Sequence, residues 1–253
     1  PALPLRVSAT FVREMTGVDM KITCFARALH RPYGAAAHLR KLLLAMAVML
    51  GALVSAQAQP VTILAFGDSL TQGFGLPKAD GFVPQMQRWL NANGAEDVRM
   101  INGGVSGDTT SGGLSRIAWS LTDDVDAVIV ALGGNDVLRG FDPGLIRSNL
   151  GGILTEIDKR GLPSMLAGLP APSNYGPEYK AAFKALYPEL AAKHDAIHYR
   201  SFLAGMGEDR NMFEVLLLMQ SDGIHPNATG VKAIVDHMGP YVIDLADRAR
   251  AGG

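Results

Sequence analysis

Two short segments at opposite ends of the chain carry a hydroxyl, an imidazole and two carboxylates. Segment 67–71 (GDSLT) lies early in the sequence, and segment 222–227 (DGIHPN) lies near its carboxyl end. A serine hydroxyl is a poor nucleophile at neutral pH and needs a base to take its proton. A histidine supplies that base, and a nearby carboxylate holds one ring nitrogen and fixes the tautomer. These residue types predict Ser69 as a nucleophile, His225 as its general base and Asp222 as the partner of His225.

Two further segments could stabilise the negative charge that such an attack creates. Segment 103–110 (GGVSGDTT) is rich in glycine, so its backbone N–H groups can face a ligand. Segment 133–136 (GGND) contains Asn135, whose side-chain amide can donate a hydrogen bond to an oxyanion. Together the four segments supply every part of a nucleophilic site: nucleophile, base, orienting acid and oxyanion donors.

Each segment also has a purely structural explanation, which the sequence leaves open. Ser69 could cap the helix that follows it, and segment 133–136 could be a simple turn. Segment 103–110 could be a flexible loop in which Asp108 or Thr109 caps a helix. Segment 222–227 could be a loop in which Asn227 caps the last helix, a role that is compatible with catalysis by His225.

Short apolar runs precede three of these segments and predict buried β-strands. The predicted strands are Val61–Phe66, Val98–Ile101, Ala127–Leu132, Ser164–Leu169 and Ile197–Tyr199. Runs that are apolar on both faces are typical of parallel sheets covered by helices. Helical patterns alternate with them: Phe82–Asn93, Pro143–Arg160, Glu178–Lys193 and Thr229–Ala249. The alternation predicts a three-layer α/β domain, whose ligands bind at the carboxyl ends of the strands.

Residues 1–58 read as a presequence rather than as part of the fold. Arg40 and Lys41 precede an apolar run that continues to Val54, and a small-x-small pattern ends at Ala58. This layout predicts a secretory signal peptide at about residues 39–58, because the run is shorter than the roughly 20 apolar residues of a membrane-spanning helix. We expect residues 59–253 to form one domain that keeps no stable membrane anchor. Met15 and Met20 are candidate start residues within the presequence.

The composition of residues 59–253 excludes some classes of function. This part of the chain has 16 basic and 22 acidic residues, a formal net charge of −6, and no cysteine. Nucleic-acid binding, which needs a basic face, is therefore not expected. Thiol chemistry and cysteine-based metal sites are excluded as well.

The four segments, in this order, resemble those of the SGNH or GDSL hydrolase family. The resemblance spans essentially all of residues 59–253, and segments 174–176 (NYG) and 187–188 (YP) resemble its bacterial thioesterase, lysophospholipase and arylesterase branch. It implies a flavodoxin-like α/β/α sandwich with a small five-stranded parallel sheet and no cofactor or metal. It also implies an oxyanion hole made by the backbone N–H groups of Ser69 and Gly107 and by the side chain of Asn135.

The expected activity is hydrolysis of acyl esters or thioesters through an acyl-enzyme on Ser69, with a small-molecule substrate that could be a lipid. Asp68, Leu70, Pro170 and Tyr175 are the predicted substrate-binding residues. Two alternatives stay open: an acetyl esterase acting on carbohydrate or cell wall, and a binding module without turnover. The signal peptide predicts that the protein is periplasmic or secreted.

Overall fold

The computed structural model describes residues 60–170, 173–207 and 212–252. The described strands are β1 (Val61–Gly67), β2 (Val98–Gly104), β3 (Ala127–Ala131), β4 (Ser164–Ala167) and β5 (Ile197–Tyr199). The helices are α1 (Ser69–Gln72), α2 (Phe82–Ala92), α3 (Thr110–Ser120), α4 (Gly134–Leu138), α5 (Pro143–Asp158), α6 (Pro177–Lys193), α7 (Ala204–Gly207), α8 (Met212–Leu216) and α9 (Ala228–Gly252), with a 3₁₀ turn at Lys78–Asp80. All five strands predicted from the sequence are present.

The five strands form one parallel sheet in the order β2-β1-β3-β4-β5. This is the flavodoxin-like order, so the predicted fold is confirmed. The connection from β1 to β2 runs one way along the sheet, and the connections from β2 to β3 and onward to β5 run the other way, so the direction reverses between β1 and β3. A crevice therefore opens beyond the carboxyl ends of β1 and β3, which is where ligands bind in folds of this kind.

Two apolar cores cover the two faces of the sheet. On β1, Ile63 and Ala65 point into one core with helices α2 and α9, while Leu64 and Phe66 point into the other core with α3, α5 and α6. Successive side chains of a strand point to opposite faces, so a strand between two helical layers is apolar throughout. This explains why every residue of β1 is buried and why its side chains, apart from Thr62, are apolar.

Two helices begin where their capping residues predict. The side chain of Asp142 accepts hydrogen bonds from Gly144 N and Leu145 N, and Pro143 occupies the first turn of α5. The side chain of Asn227 accepts from Thr229 N and Gly230 N at the start of α9. Each cap satisfies N–H groups that have no partner inside the helix.

Some local predictions are wrong. The helical spacing of apolar residues in segment 143–160 predicts Leu145 on the apolar face of α5, but Leu145 is 48% exposed and the neighbouring Ile146 is buried in its place. The turn predicted at residues 133–136 is instead the start of the short helix α4. None of the helices among the described residues has the length and apolar character needed to cross a membrane. The predicted signal peptide lies outside the described residues.

Candidate active site

Three side chains form a continuous hydrogen-bonded chain at the carboxyl edge of the sheet. His225 Nε2 lies 2.9 Å from Ser69 Oγ, and His225 Nδ1 lies 2.7 Å from Asp222 Oδ2. In the tautomer with the proton on Nδ1, the imidazole donates to Asp222 and accepts from the Ser69 hydroxyl. The fold thus joins residues 156 positions apart in the sequence. This geometry suits removal of a proton from Ser69.

A tight turn holds Asp222 beneath the imidazole. Asp222 Oδ1 accepts hydrogen bonds from Ile224 N at 2.9 Å and from His225 N at 3.0 Å, while Oδ2 faces the ring. The hydrogen bonds from the backbone and side chain of His225, followed by that from Ile224 N, lower the pKa of Asp222 from 3.8 to about 2. Asp222 is therefore an ionised acceptor throughout the range in which an imidazole can act as a base.

Phe74 and Gln220 hold His225 against the segment that carries Ser69. The ring of Phe74 lies 4.7 Å from the imidazole, measured between centroids. Gln220 donates a backbone hydrogen bond to His225 O, and its side-chain amide donates to Phe74 O and Pro226 O. Neither residue has a motif signal, because each role depends on a contact between distant parts of the chain.

Ser69 lies in the first turn of α1, directly after β1. Asp68, and not Ser69, is the capping residue of this helix, since its side chain accepts from Leu70 N at 3.0 Å. The Ser69 hydroxyl is therefore free to face His225, and the proposal that Ser69 caps the helix is wrong. Gly67 is needed because a Cβ there would lie 2.1 Å from Thr71 Oγ1 and 2.8 Å from Ala131 O.

Asp68 connects the nucleophile segment to Asn135. Only 2% of its surface is exposed, and Asn135 Nδ2 donates a long hydrogen bond of 3.4 Å to Asp68 Oδ2. Burial raises the pKa of Asp68 from 3.8 to about 6, because a carboxylate is costly where water is excluded. The hydrogen bond orients the Asn135 amide, which lies beside Ser69 in the same groove.

Gly107 adopts a left-handed backbone conformation on the other side of the same groove. Its φ is +80°, which glycine adopts without strain, and a Cβ added there would meet no atom within 4 Å. Arg139 Nη2 donates to Gly107 O at 3.1 Å and fixes the peptide on that side. Ser69, Gly107 and Asn135 all line one groove, so the structure brings the three predicted oxyanion donors together.

The buried Arg116 ties together the ends of the first two strands. Its guanidinium donates to Gly67 O and Gly103 O, each at 2.9 Å, and to Asp108 Oδ2 at 2.7 Å. It also lies over the ring of Phe66, 3.8 Å from the centroid. Arg116 thereby fixes the spacing between the Ser69 segment and the Gly107 segment. No local pattern in the sequence singles out Arg116.

A second buried network fixes helix α4. Asp136 is fully buried and accepts hydrogen bonds from Thr110 N at 2.9 Å and Thr110 Oγ1 at 2.6 Å. Asn149 Nδ2 in turn donates to Thr110 Oγ1 at 3.1 Å. These bonds join α3, α4 and α5 immediately behind Asn135. The amide of Asn135 is therefore presented by a rigid element.

The groove has a volume of about 420 Å³ and largely apolar walls. Of the predicted substrate-binding residues, Asp68, Leu70 and Pro170 line it. Tyr175 does not line it: its hydroxyl donates to Val137 O, and its ring packs 4.8 Å from that of Tyr179. The substrate-binding role of Tyr175 therefore stays a prediction. No group of three His, Cys, Asp or Glu side chains is placed to hold a metal within the described ranges.

Comparison with known proteins agrees with this geometry. Residues 65–233 match the model of the GDSL-like Lipase/Acylhydrolase family. The chain is 36% identical over 194 residues to Esterase TesA of Pseudomonas aeruginosa, covering 76% of this chain and 93% of that protein. It is also 36% identical over 190 residues to Thioesterase 1/protease 1/lysophospholipase L1 of Escherichia coli K12, covering 74% of this chain and 85% of the relative.

Solved structures give the same result. The crystal structure of AlinE4, an SGNH-hydrolase family esterase, is 40% identical, with a TM-score of 0.60 over 75% of this chain and 98% of that one. The crystal structure of TesA is 34% identical, with a TM-score of 0.65 over 73% and 99% of the two chains. The matched span includes every residue of the hydrogen-bonded chain. The protein therefore belongs to the GDSL-like lipase/acylhydrolase family of serine ester hydrolases.

Proposed function

We propose that this protein hydrolyses acyl esters or thioesters through a covalent acyl-enzyme on Ser69. The observation that carries the proposal is the unbroken hydrogen-bonded chain from Asp222 through His225 to Ser69, with distances of 2.7 Å and 2.9 Å. Relatives named esterase, arylesterase and thioesterase 1/protease 1/lysophospholipase L1 support the range of leaving groups.

In the first half of the reaction, Ser69 Oγ attacks the carbonyl carbon of the substrate while His225 Nε2 takes the hydroxyl proton. The tetrahedral oxyanion accepts hydrogen bonds from the N–H groups of Ser69 and Gly107 and from the Asn135 side chain. The C–O or C–S bond then breaks, and His225 returns its proton to the leaving alcohol or thiol. Asp222 stabilises the imidazolium between these two steps.

In the second half, water attacks the acyl-enzyme from the position that the leaving group has vacated. His225 takes a proton from the water, and the same donors hold the second oxyanion. The bond between the acyl carbon and Ser69 Oγ breaks, Ser69 recovers its proton, and the carboxylic acid leaves.

The apolar walls of the groove favour a substrate that carries an alkyl or aryl group over an acetylated carbohydrate. Leu70, Val137, Leu138, Leu169 and Ile224 line the space beside Ser69. Such a surface binds alkyl or aryl groups by removing them from water, whereas the hydroxyl groups of a sugar would lose hydrogen bonds there. The groove is open and carries a complete nucleophilic set, which supports turnover over a binding module.

Replacement of the nucleophile tests the proposal directly. Ser69→Ala should lower the hydrolysis of p-nitrophenyl butyrate by several orders of magnitude and abolish labelling by a fluorophosphonate probe. Ser106→Ala is the matched control, because Ser106 lines the same groove with its hydroxyl bonded to Gln72. Near-normal turnover by purified Ser69→Ala, or labelling that follows Ser106, would refute the assignment.

We also propose that residues 59–253 are exported to the periplasm or secreted after cleavage following Ala58. The basic and apolar pattern of residues 40–58 supports this. Sequencing the amino terminus of the exported protein in a bacterial host should give Gln59. A protein retained in the cytoplasm with residues 1–58 intact would contradict export.

A further inference from the structure

A second cavity adjoins the groove that holds Ser69. It has a volume of about 700 Å³ and shares Leu169, Pro170 and Leu203 with that groove as common walls. A substrate bound at Ser69 that reaches past these three residues would enter the second cavity. The mechanism described above makes no use of this space.

The second cavity has apolar walls and a cationic rim. Tyr187, Met206, Val215 and Met219 are among the apolar lining residues. Lys180, Lys184, His198 and Arg200 also line it, whereas none of its described lining residues is an aspartate or a glutamate. Burial lowers the pKa of His198, which disfavours the charged form of this imidazole.

Lys180 and Lys184 are the part of this rim that needs an explanation. They lie four residues apart on α6, where two like charges destabilise a helix. Two lysines elsewhere in the described residues pair with a carboxylate, Lys159 with Glu156 and Lys232 with Asp236. No carboxylate lies within ion-pair distance of Lys180 or Lys184 among the described residues. The proposal does not depend on Arg200, which has an interaction of its own.

We infer that Lys180 and Lys184 form a subsite for a phosphate group on the substrate's leaving portion. The inference rests on the proposed function and narrows its substrate class. An ester or thioester whose alcohol or thiol carries a phosphate can place its carbonyl at Ser69 and its phosphate at the rim of the second cavity. A coenzyme A thioester and a lysophospholipid share this chemistry. The two ammonium groups act as point charges on the phosphate.

The test compares substrates that share an acyl chain and differ in phosphate. The substrates are octanoyl-coenzyme A, an octanoyl lysophosphatidylglycerol and neutral p-nitrophenyl octanoate. For the double variant Lys180→Gln/Lys184→Gln, KM for the phosphate-bearing substrates should rise about threefold to tenfold, the scale of two exposed ion pairs. The kcat for these substrates and both constants for the neutral ester should stay unchanged.

Lys78→Gln/Lys193→Gln is the matched control, because it removes the same charge at positions outside both the groove and the second cavity. Raising the salt concentration should increase KM for the phosphate substrates in the parent and the control, and much less in the double variant. If KM rises for only one of the two phosphate-bearing substrates, that substrate shows whether the subsite binds the phosphate of coenzyme A or that of a lipid. An unchanged KM for both, or an equal rise for the neutral ester, overturns the subsite. If the parent hydrolyses none of the three substrates, the proposed function is refuted instead.

Discussion

Asp68→Asn should raise the free energy of unfolding at alkaline pH and leave it close to that of the parent at acid pH. Asp68 is 2% exposed, and burial raises its pKa to about 6 from 3.8. A folded-state pKa above the unfolded value means that the folded protein binds the proton more tightly. The carboxyl therefore costs nothing where both states are protonated, and its cost grows as the pH rises from about 4 to about 6.

The size of the effect follows from this shift. Each pKa unit corresponds to about 1.36 kcal/mol, so the ionised Asp68 destabilises the folded state by about 3 kcal/mol above pH 7. Asparagine is an equally good helix cap and can keep the bond from Leu70 N. It loses the contact with Asn135 Nδ2, which costs about 1 kcal/mol. The expected net gain at pH 8 is about 2 kcal/mol.

Urea unfolding at pH 4 and pH 8 measures this directly. Asp68→Asn should raise the free energy of unfolding at pH 8 and lie within about 1 kcal/mol of the parent at pH 4. The control is Asp123→Asn, at a fully exposed carboxyl, which should change stability by less than about 0.5 kcal/mol at either pH. A variant no more stable than the parent at pH 8, or a difference that is the same at both pH values, would refute the reasoning.

Two further predictions concern the reaction. Asn135→Ala should lower kcat by about 10²–10³ with little change in KM, since the amide donates to charge that develops only in the transition state. The kinetics of p-nitrophenyl butyrate hydrolysis measure both constants. A change confined to KM would contradict the prediction. Asp222→Asn should lower kcat by about 10²–10⁴. Because the pKa of Asp222 is lowered to about 2, this carboxylate is ionised above pH 4. It should therefore contribute no acid limb to the parent's kcat/KM profile between pH 4 and pH 8. A limb in that range that disappears in Asp222→Asn would count against its role.

The sequence was sufficient wherever the signal was local. Strands such as β1 are short apolar runs that end at glycine, and both faces must be apolar because a helical layer covers each one. Asp142 and Asn227 were predictable as caps because a cap acts on N–H groups two or three residues away. The four motif segments could be placed at one edge of the sheet for the same reason: each directly follows a strand or precedes the last helix.

Local signals failed where the outcome depended on what packs nearby. Ser69 and Asp68 are both good capping residues, and because the helix begins at Ser69 the aspartate is the cap and the serine hydroxyl is left for His225. The Tyr175 hydroxyl is bound by the carbonyl of Val137, a contact between residues 38 positions apart that no local pattern indicates. Leu145 and Ile146 are equally apolar, and the orientation of α5 on the sheet buries the second one.

The sequence by itself therefore determined the chemical parts, the parallel α/β architecture and the family, because these follow from residue type and short spacing. Tertiary structure alone decided the distances between those parts. It brought His225 to within 2.9 Å of a serine 156 residues away, buried Arg116 between two strand ends, and placed Lys180 and Lys184 on a cavity that shares three lining residues with the groove. Such contacts depend on how the layers pack, and no local pattern of residues encodes the distance between two segments that meet only in the folded chain.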